Sequence, residues 1–153
     1  TEVGGQATSW LWSSSGSATF DNNAIQNPLV SGAVDGELFT VNIVGTNACT
    51  NNTSIAVDIN DTPDATFTLS DPTICIGDMA TIDQSGSELG VSYQLRLNAD
   101  SSNIGTPVVG TGAAIQLTTS PTSTNTYNVL ATNLTTGCEI QLTDLSTIIV
   151  DPK

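Results

Sequence analysis

The strictest pattern in this sequence is the alternation of apolar and polar side chains over residues 91–98. Positions Val91, Tyr93, Leu95 and Leu97 are apolar, and the positions between them are polar. A period of two residues places all the apolar side chains on one face of a half-buried β-strand, whereas an α-helix would require a period of 3.6. Residues 126–132 show the same alternation, and we find no helical period anywhere in the chain. The sequence therefore predicts an all-β protein.

Shorter alternating segments and turn-forming residues fill the rest of the chain. We expect further strands at residues 7–13, 18–20, 38–44, 54–59, 65–69, 79–83, 113–117, 139–142 and 146–150. Turn signals such as Asp71-Pro72 and Gly110-Thr111-Gly112 separate these segments. Short strands at this spacing are typical of a sandwich of two antiparallel sheets, the architecture of immunoglobulin-like (Ig-like) domains.

The two halves of the chain share an internal repeat. An aromatic, a valine and a third apolar residue at alternate positions precede a cysteine in each half: Phe39, Val41, Ile43 and Cys49, then Tyr127, Val129, Ala131 and Cys138. We therefore predict two tandem antiparallel β-sandwich modules, the first at residues 1–60 and the second at 65–153, joined by a linker at 61–64.

The first module has no counterpart of Cys75, because the repeat places that position upstream of Thr1. We therefore expect the first module to lack its opening strands here. Either these strands belong to a longer parent chain, or a neighbouring subunit donates one. An exposed sheet edge favours the second option wherever copies are assembled.

The cysteines predict a disulfide between Cys75 and Cys138 that closes the second module. In the chain-entropy model, a loop of this length is stabilised by about 4 kcal/mol when it is cross-linked. The alternative, a reactive or metal-binding pair, would call for a nearby His or Lys or a CxxC spacing. The sequence contains no His and no CxxC motif. Cys49 is left without a partner in the chain, and its pairing stays open.

The junction between the modules is rich in oxygen-bearing side chains. Asp58, Asn60, Asp61 and Asp64 lie within seven residues of one another, beside Pro63. Carboxylate and amide oxygens are the ligands that Ca²⁺ prefers, so this segment is a candidate calcium site that would stiffen the junction. The alternative is a solvated linker with no metal. No other cofactor is expected.

Charge and composition exclude several classes of function. Fifteen acidic residues oppose two basic ones, giving a net charge of −13, and such a surface repels nucleic acid and anionic membranes. Without histidine, Ser–His and Cys–His catalytic pairs cannot form, so we expect no enzyme activity.

We find no signal peptide and no apolar run long enough to insert into a membrane. Because Thr1 is not an initiator, we expect a mature or excised piece, and three cysteines favour an extracellular location.

Several motifs resemble a known group of repeats. They are Ser-Trp-Leu-Trp-Ser at 9–13, Asn27-Pro28, Asn47-Ala48-Cys49, Gly90-Val-Ser-Tyr-Gln-Leu at 90–95, Tyr127-Asn-Val-Leu-Ala-Thr-Asn at 127–133 and Thr136-Gly137-Cys138. Together they resemble the PKD-like and Ig-like repeats of very large secreted surface adhesins of gliding Bacteroidetes-type bacteria. The resemblance implies export, display at the cell surface, and a part in attachment or gliding motility. It also implies that the partners are neighbouring repeats or subunits of the same protein.

Two classes of function stay open from the sequence. The first is a stalk or filament repeat, which gives length and displays a distant functional end. The second is an adhesive module that itself binds a glycan or protein on a surface. Burial of the four large aromatic residues would favour the first class, and their exposure beside carboxylates would favour the second: Trp10, Trp12, Tyr93 and Tyr127.

Overall fold

The computed structural model describes residues 7–152, and its regular structure consists entirely of β-strands. This confirms the prediction of an all-β fold with antiparallel sheets. The strands are β1 (Ala7–Ser14), β2 (Thr19–Phe20), β3 (Val30–Ser31), β4 (Leu38–Gly45), β5 (Thr50–Ala56), β6 (Thr73–Cys75), β7 (Ala80–Gln84), β8 (Val91–Leu97), β9 (Val108–Val109), β10 (Ile115–Thr119), β11 (Asn125–Asn133), β12 (Glu139–Gln141) and β13 (Ser146–Asp151). In this range, no helix is long and apolar enough to span a membrane.

The chain divides into two compact units, Thr1–Asn60 (unit 1) and Asp61–Lys153 (unit 2). In unit 1, β4 is the centre of a three-stranded antiparallel sheet in the order β1-β4-β5, and β2 and β3 form a separate two-stranded ribbon. Trp10 and Trp12 are half-buried on one face of β1, as their alternate spacing requires, while Leu11 faces the other way and is exposed. Every residue of β5 is exposed.

Unit 2 is a sandwich of two layers. One layer has the strand order β6-β13-β11-β8-β9, with β12 also paired to β11; the other contains β10 and β7. All neighbouring strands run antiparallel except β6 and β13, which are parallel. The alternating residues of β8 and β11 face β7 and β10, and the resulting core is fully or almost fully buried: Ala80, Ile82, Val91, Tyr93, Leu95, Ile115, Leu117, Tyr127, Val129, Ala131, Leu142 and Ile148.

The internal repeat reappears as matching strand registers. In unit 1, β1 pairs with β4 so that Trp12 lies opposite Val41. In unit 2, β8 pairs with β11 so that Leu95 lies opposite Val129. The neighbouring pairs match in the same way: Trp10–Ile43 with Tyr93–Ala131, and Ser14–Phe39 with Leu97–Tyr127. The two units therefore share one framework, in which β1 and β4 of unit 1 correspond to β8 and β11 of unit 2.

Two predicted strands differ from those observed. Residues 65–69 form no strand, and only Leu69 makes an isolated bridge, to Gln84. Some backbone groups of this segment form hydrogen bonds with side chains instead of with a neighbouring strand: the Ser85 hydroxyl accepts the Thr68 N–H. The strand predicted at 54–59 lies earlier, at Thr50–Ala56. The chain leaves the sheet after Ala56, and the N–H of Ile59 donates to the Asp35 carboxylate instead of to a neighbouring strand.

Candidate functional site

The structure does not contain the predicted disulfide between Cys75 and Cys138. None of the three cysteines is in a disulfide; Cys49 and Cys75 are exposed, and Cys138 is partly exposed. The prediction of a covalent closure for the second module is therefore wrong for this structure. The module is held together by its buried core and by its strand pairing instead.

The strand pairing explains why the two sulfur atoms cannot meet. Cys75 pairs with Asp151 at the end of β13, beyond the Asn125 end of β11. The carbonyl of Cys138 accepts a hydrogen bond from the N–H of Asn133, at the other end of β11. A strand of nine residues is about 26 Å long, whereas the Cα atoms of a disulfide lie within about 7 Å of each other.

The predicted calcium ligands do not form a recognisable metal centre. Within residues 7–152 there is no group of three or more Asp, Glu, His or Cys side chains placed to hold a metal ion. The Asp64 carboxylate accepts hydrogen bonds from the N–H and hydroxyl of Thr66, at 2.8 and 2.7 Å, and these bonds lower the pKa of Asp64. Calcium binding by Asp58, Asn60, Asp61 and Asp64 stays a prediction, which a change in Tm on addition of chelator would support.

The two tyrosines belong to the core of unit 2. Tyr93 is fully buried and Tyr127 is 3% exposed. The ring of Tyr93 lies edge-on to Phe67 at 6.5 Å, and its hydroxyl accepts the N–H of Glu88 at 2.9 Å. Burial raises the pKa of Tyr93. A buried, hydrogen-bonded tyrosine anchors the fold and is not a ligand-stacking platform.

The tryptophans of unit 1 belong to an aromatic face that is only half-buried. The ring of Trp12 lies 6.2 Å from that of Phe20, which in turn lies edge-on to Phe39 at 5.7 Å. The indole N–H of Trp12 donates to the carbonyl of Ile25 at 3.0 Å. We call this surface the inner face of unit 1. Its apolar residues are Trp10, Trp12, Phe39, Val41, Ile43 and Ile55, and the polar residues Thr53 and Asn51 of β5 share it.

Glu37 is a buried carboxylate that the sequence analysis did not identify as a candidate. It is only 4% exposed, and it accepts hydrogen bonds from the Ser14 hydroxyl, from the N–H of Ala18 at 2.9 Å and from the N–H of Val34 at 2.9 Å. These bonds, with that of Ser14 first, lower the pKa of Glu37. The carboxylate thus ties three segments of unit 1 together. The sequence holds no signal of this beyond the Asp35-Gly36 turn that precedes it.

The Glu37 network makes the stability of unit 1 depend on pH. Because the folded pKa lies below the ordinary value of 4.5, the contribution is complete above pH 4.5 and is lost as the pH falls through the folded pKa. We expect Glu37→Gln to destabilise unit 1 at neutral pH and to remove this acid-dependent component. Tryptophan fluorescence measures unit 1 alone, since both tryptophans lie in it. An unchanged acid profile in the variant would contradict the assignment.

Arg96 links three strands on the outer face of unit 2. Its Nε donates to the amide oxygen of Asn128 at 2.8 Å, and its Nη2 donates to that of Gln141 at 2.9 Å. Asn128 is itself 1% exposed and donates to the Asn98 side chain at 3.2 Å. The guanidinium is therefore held in place by neutral amides, as a cross-strand clamp of β8, β11 and β12.

Unit 1 also carries a shallow cleft of about 530 Å³. The Asp21 carboxylate at its edge accepts the N–H of Leu29 at 2.8 Å and that of Asn22 at 2.7 Å. An aromatic ring beside a carboxylate and amides is the kind of surface that contacts sugars. The cleft is lined by Thr19, Phe20, Asp21, Asn22 and Asn23.

No protein-family model matches the chain, and no curated protein matches its sequence. The resemblance to adhesin repeats stays a prediction, and the function has to be argued from the geometry of the two units.

Proposed function

We propose that this chain is a structural spacer, a stalk or filament repeat of a bacterial cell-surface adhesin. Such a repeat gives length and displays a distant end, in attachment or gliding motility. The location is extracellular, at the cell surface, and the partners are neighbouring repeats or subunits. The observation that carries the proposal is that the chain leaves both units at the same end of the repeated strand framework.

In unit 2 the chain enters at one end of the framework and leaves at the other. It enters beside Asn133, since the N–H of Asp64 donates to Glu88, just before β8, whose first residue pairs with Asn133. It leaves beyond Asn125, because β13 pairs there with β11 and continues to Asp151. A module of this kind adds its own length to any chain that contains it.

In unit 1 the chain leaves the framework at the matching end. The chain leaves through Val57, whose N–H donates to the carbonyl of Glu37, just before β4 begins. Both units therefore use the repeated framework in the same sense, which supports a function based on tandem repetition.

The spacer function is tested by measuring length. We expect chains with one, two and four tandem copies of the whole sequence to grow linearly in small-angle X-ray scattering and in electron micrographs. Each copy should add a constant increment of no less than about 26 Å, the length of the nine-residue β11. A maximum dimension that grows only as the cube root of the mass would show compact association and would refute the spacer.

The cleft of unit 1 favours a second candidate, an adhesive module that binds a surface glycan. The test is binding of the full chain to an array of immobilised glycans. We expect Asp21→Asn to weaken any binding at the cleft, because the substitution removes the negative charge of a side chain that lines it. Asp100→Asn, which removes an exposed carboxylate of unit 2, should leave binding unchanged. Equal binding by both variants would exclude the cleft.

A further inference from the structure

Arg96, the only basic residue within residues 7–152, carries its charge without an acidic partner. Both hydrogen bonds that its guanidinium donates go to neutral groups, the amide oxygens of Asn128 and Gln141. No carboxylate in this range forms an ion pair with it, although the chain contains fifteen acidic residues. The charge of Arg96 is therefore oriented by its neighbours but not neutralised by them.

The guanidinium of Arg96 keeps donors for a ligand. A guanidinium has five N–H donors in a planar fork, and the two bonds to Asn128 and Gln141 start from Nε and Nη2. Nη1 donates to no residue that the structure describes, and it is not among the side-chain atoms that are buried without a partner. Nη1 is therefore open to solvent. Together with the remaining N–H of Nη2, it can hold a carboxylate.

The partners of Arg96 fix the guanidinium before a ligand arrives. Asn128 is only 1% exposed, and its amide nitrogen donates to the Asn98 side chain at 3.2 Å. Gln141 lies on β12, which pairs with β11 on the side away from β8. A side chain that is already held in place loses less conformational freedom on binding, so more of the interaction is retained as affinity.

Exposed, uncharged amides surround the guanidinium. Asn103 lies directly opposite Arg96 across an isolated bridge, so the two side chains share one face of the sheet. Asn98 and Gln141 join this group through their bonds to Asn128 and Arg96. All three amide residues are exposed, and their side-chain nitrogens donate to no other residue of the described range. Amide groups both donate and accept hydrogen bonds, as the hydroxyl groups of a sugar do.

The acidic residues of this part of unit 2 are engaged elsewhere. Glu139 of β12 accepts a hydrogen bond from the Thr132 hydroxyl at 3.1 Å, and Asp100 accepts the N–H of Ser102 at 3.0 Å. The net charge of −13 disfavours a ligand with many negative charges. A single carboxylate is tolerated, because repulsion by exposed charges more distant than about 10 Å is screened at 0.1 M salt.

We propose that Arg96 and its surrounding amides bind a sugar that carries a carboxylate, such as a uronic acid residue in an otherwise neutral glycan. The guanidinium binds the carboxylate, and Asn98, Asn103 and Gln141 bind the ring hydroxyls. A carboxylate of a second copy is disfavoured, because it would bring a second charge of −13 with it. The proposal goes beyond the spacer function, and either can fail without the other.

The test is two-dimensional NMR of the full chain labelled with ¹⁵N. Arg96 is the only arginine in the sequence, so its Nε–H resonance reports on this site alone. The ligand is the methyl glycoside of glucuronic acid, and the neutral control is methyl glucoside, which has a hydroxymethyl group in place of the carboxylate. We expect the uronide to shift the Nε–H resonance saturably at millimolar concentration. The neutral glycoside should bind about tenfold more weakly or less, because it lacks the charge-assisted pair.

Variants separate the sugar contact from the charge contact. Asn103→Ala removes an exposed amide and should weaken uronide binding severalfold, while binding of acetate, which needs only the guanidinium, stays unchanged. Asn52→Ala, which removes an exposed amide of unit 1, is the matched control and should bind as the unaltered chain does. Arg96→Lys keeps the charge but not the planar fork, and should weaken binding of both ligands about tenfold. Binding to this variant is followed by the backbone amide resonance of Asn103.

Four results would overturn the proposal. The first is an Nε–H resonance that does not move at tens of millimolar uronide. The second is equal binding of the uronide and the neutral glycoside. The third is uronide binding that Asn103→Ala leaves unchanged and that acetate equals, since the site would then recognise a carboxylate without its sugar. The fourth is tighter binding of an acetylated glutamate amide than of the uronide, which would assign the site to an acidic polypeptide.

Discussion

Replacing Tyr93 by alanine should remove a large part of the stability of unit 2. The side chain is fully buried in the core, so its loss leaves a cavity and an unpaired Glu88 N–H. Truncation of a large buried aromatic side chain costs about 3–5 kcal/mol, and a small domain has a total of about 5–15 kcal/mol. Chemical denaturation followed by tyrosine signal measures unit 2, because both tyrosines lie in it.

Tyr93→Phe is the matched control for this prediction. It keeps the ring and its contact with Phe67 but removes the hydroxyl that accepts the Glu88 N–H. We expect a loss of about 1–2 kcal/mol, the cost of a buried hydrogen bond. Equal destabilisation by the two substitutions would mean that the hydroxyl, rather than packing of the ring, holds the layers together. Tryptophan fluorescence should show unit 1 unaffected.

Gly110→Ala should be the most damaging Gly→Ala substitution at the glycines within residues 7–152. A Cβ atom at this position would lie 2.1 Å from the carbonyl oxygen of Glu88 and 3.0 Å from the Tyr93 ring. The closer atom belongs to the backbone, so it cannot rotate away. The segment would have to move, although the N–H of Gly110 is bonded to the Val91 carbonyl at 2.8 Å. Overpacking typically costs about 1–3 kcal/mol, and the approach to a backbone atom places this substitution at the upper end of that range.

Gly112→Ala separates this steric effect from an effect of backbone conformation. Gly112 has a φ of 79°, but a Cβ atom there would come no closer than 3.6 Å to another atom, on the flexible Leu89 side chain. Its cost should stay near 1 kcal/mol, the strain of a left-handed conformation. Both variants are compared by denaturation followed by tyrosine signal. A Gly110→Ala variant as stable as Gly112→Ala would show that the Glu88 segment is not fixed.

The local pattern of the sequence was sufficient for most strands and for their inward faces. The alternation over residues 91–98 correctly assigns Val91, Tyr93 and Leu95 to the core. The alternate spacing of Trp10 and Trp12 likewise places both tryptophans on one face of β1. The pattern was wrong for residues 65–69, where side chains take up backbone hydrogen bonds that a strand would otherwise make: the Ser85 hydroxyl accepts the Thr68 N–H, and the Thr143 hydroxyl donates to the Ala65 carbonyl.

The candidate sites were less accessible to sequence reasoning. A cysteine in a strand reveals neither the direction of that strand nor which end of a neighbour it reaches, and the disulfide prediction failed for this reason. The Glu37 network joins side chains and backbone groups up to 23 residues apart, so no local motif encodes it. The half-buried state of the inner face emerges only from the matched registers, because Trp10 and Ile43 are half-buried where Tyr93 and Ala131 belong to the core.

The sequence by itself determined the all-β class, the faces of the long strands and the repeated segment, because side-chain period depends only on local backbone geometry. The tertiary structure alone decided which strands are neighbours, that Cys75 and Cys138 lie at opposite ends of β11, and that unit 1 leaves its inner face half-covered. Pairing joins residues that are distant in the chain, and a period of two is compatible with many such pairings.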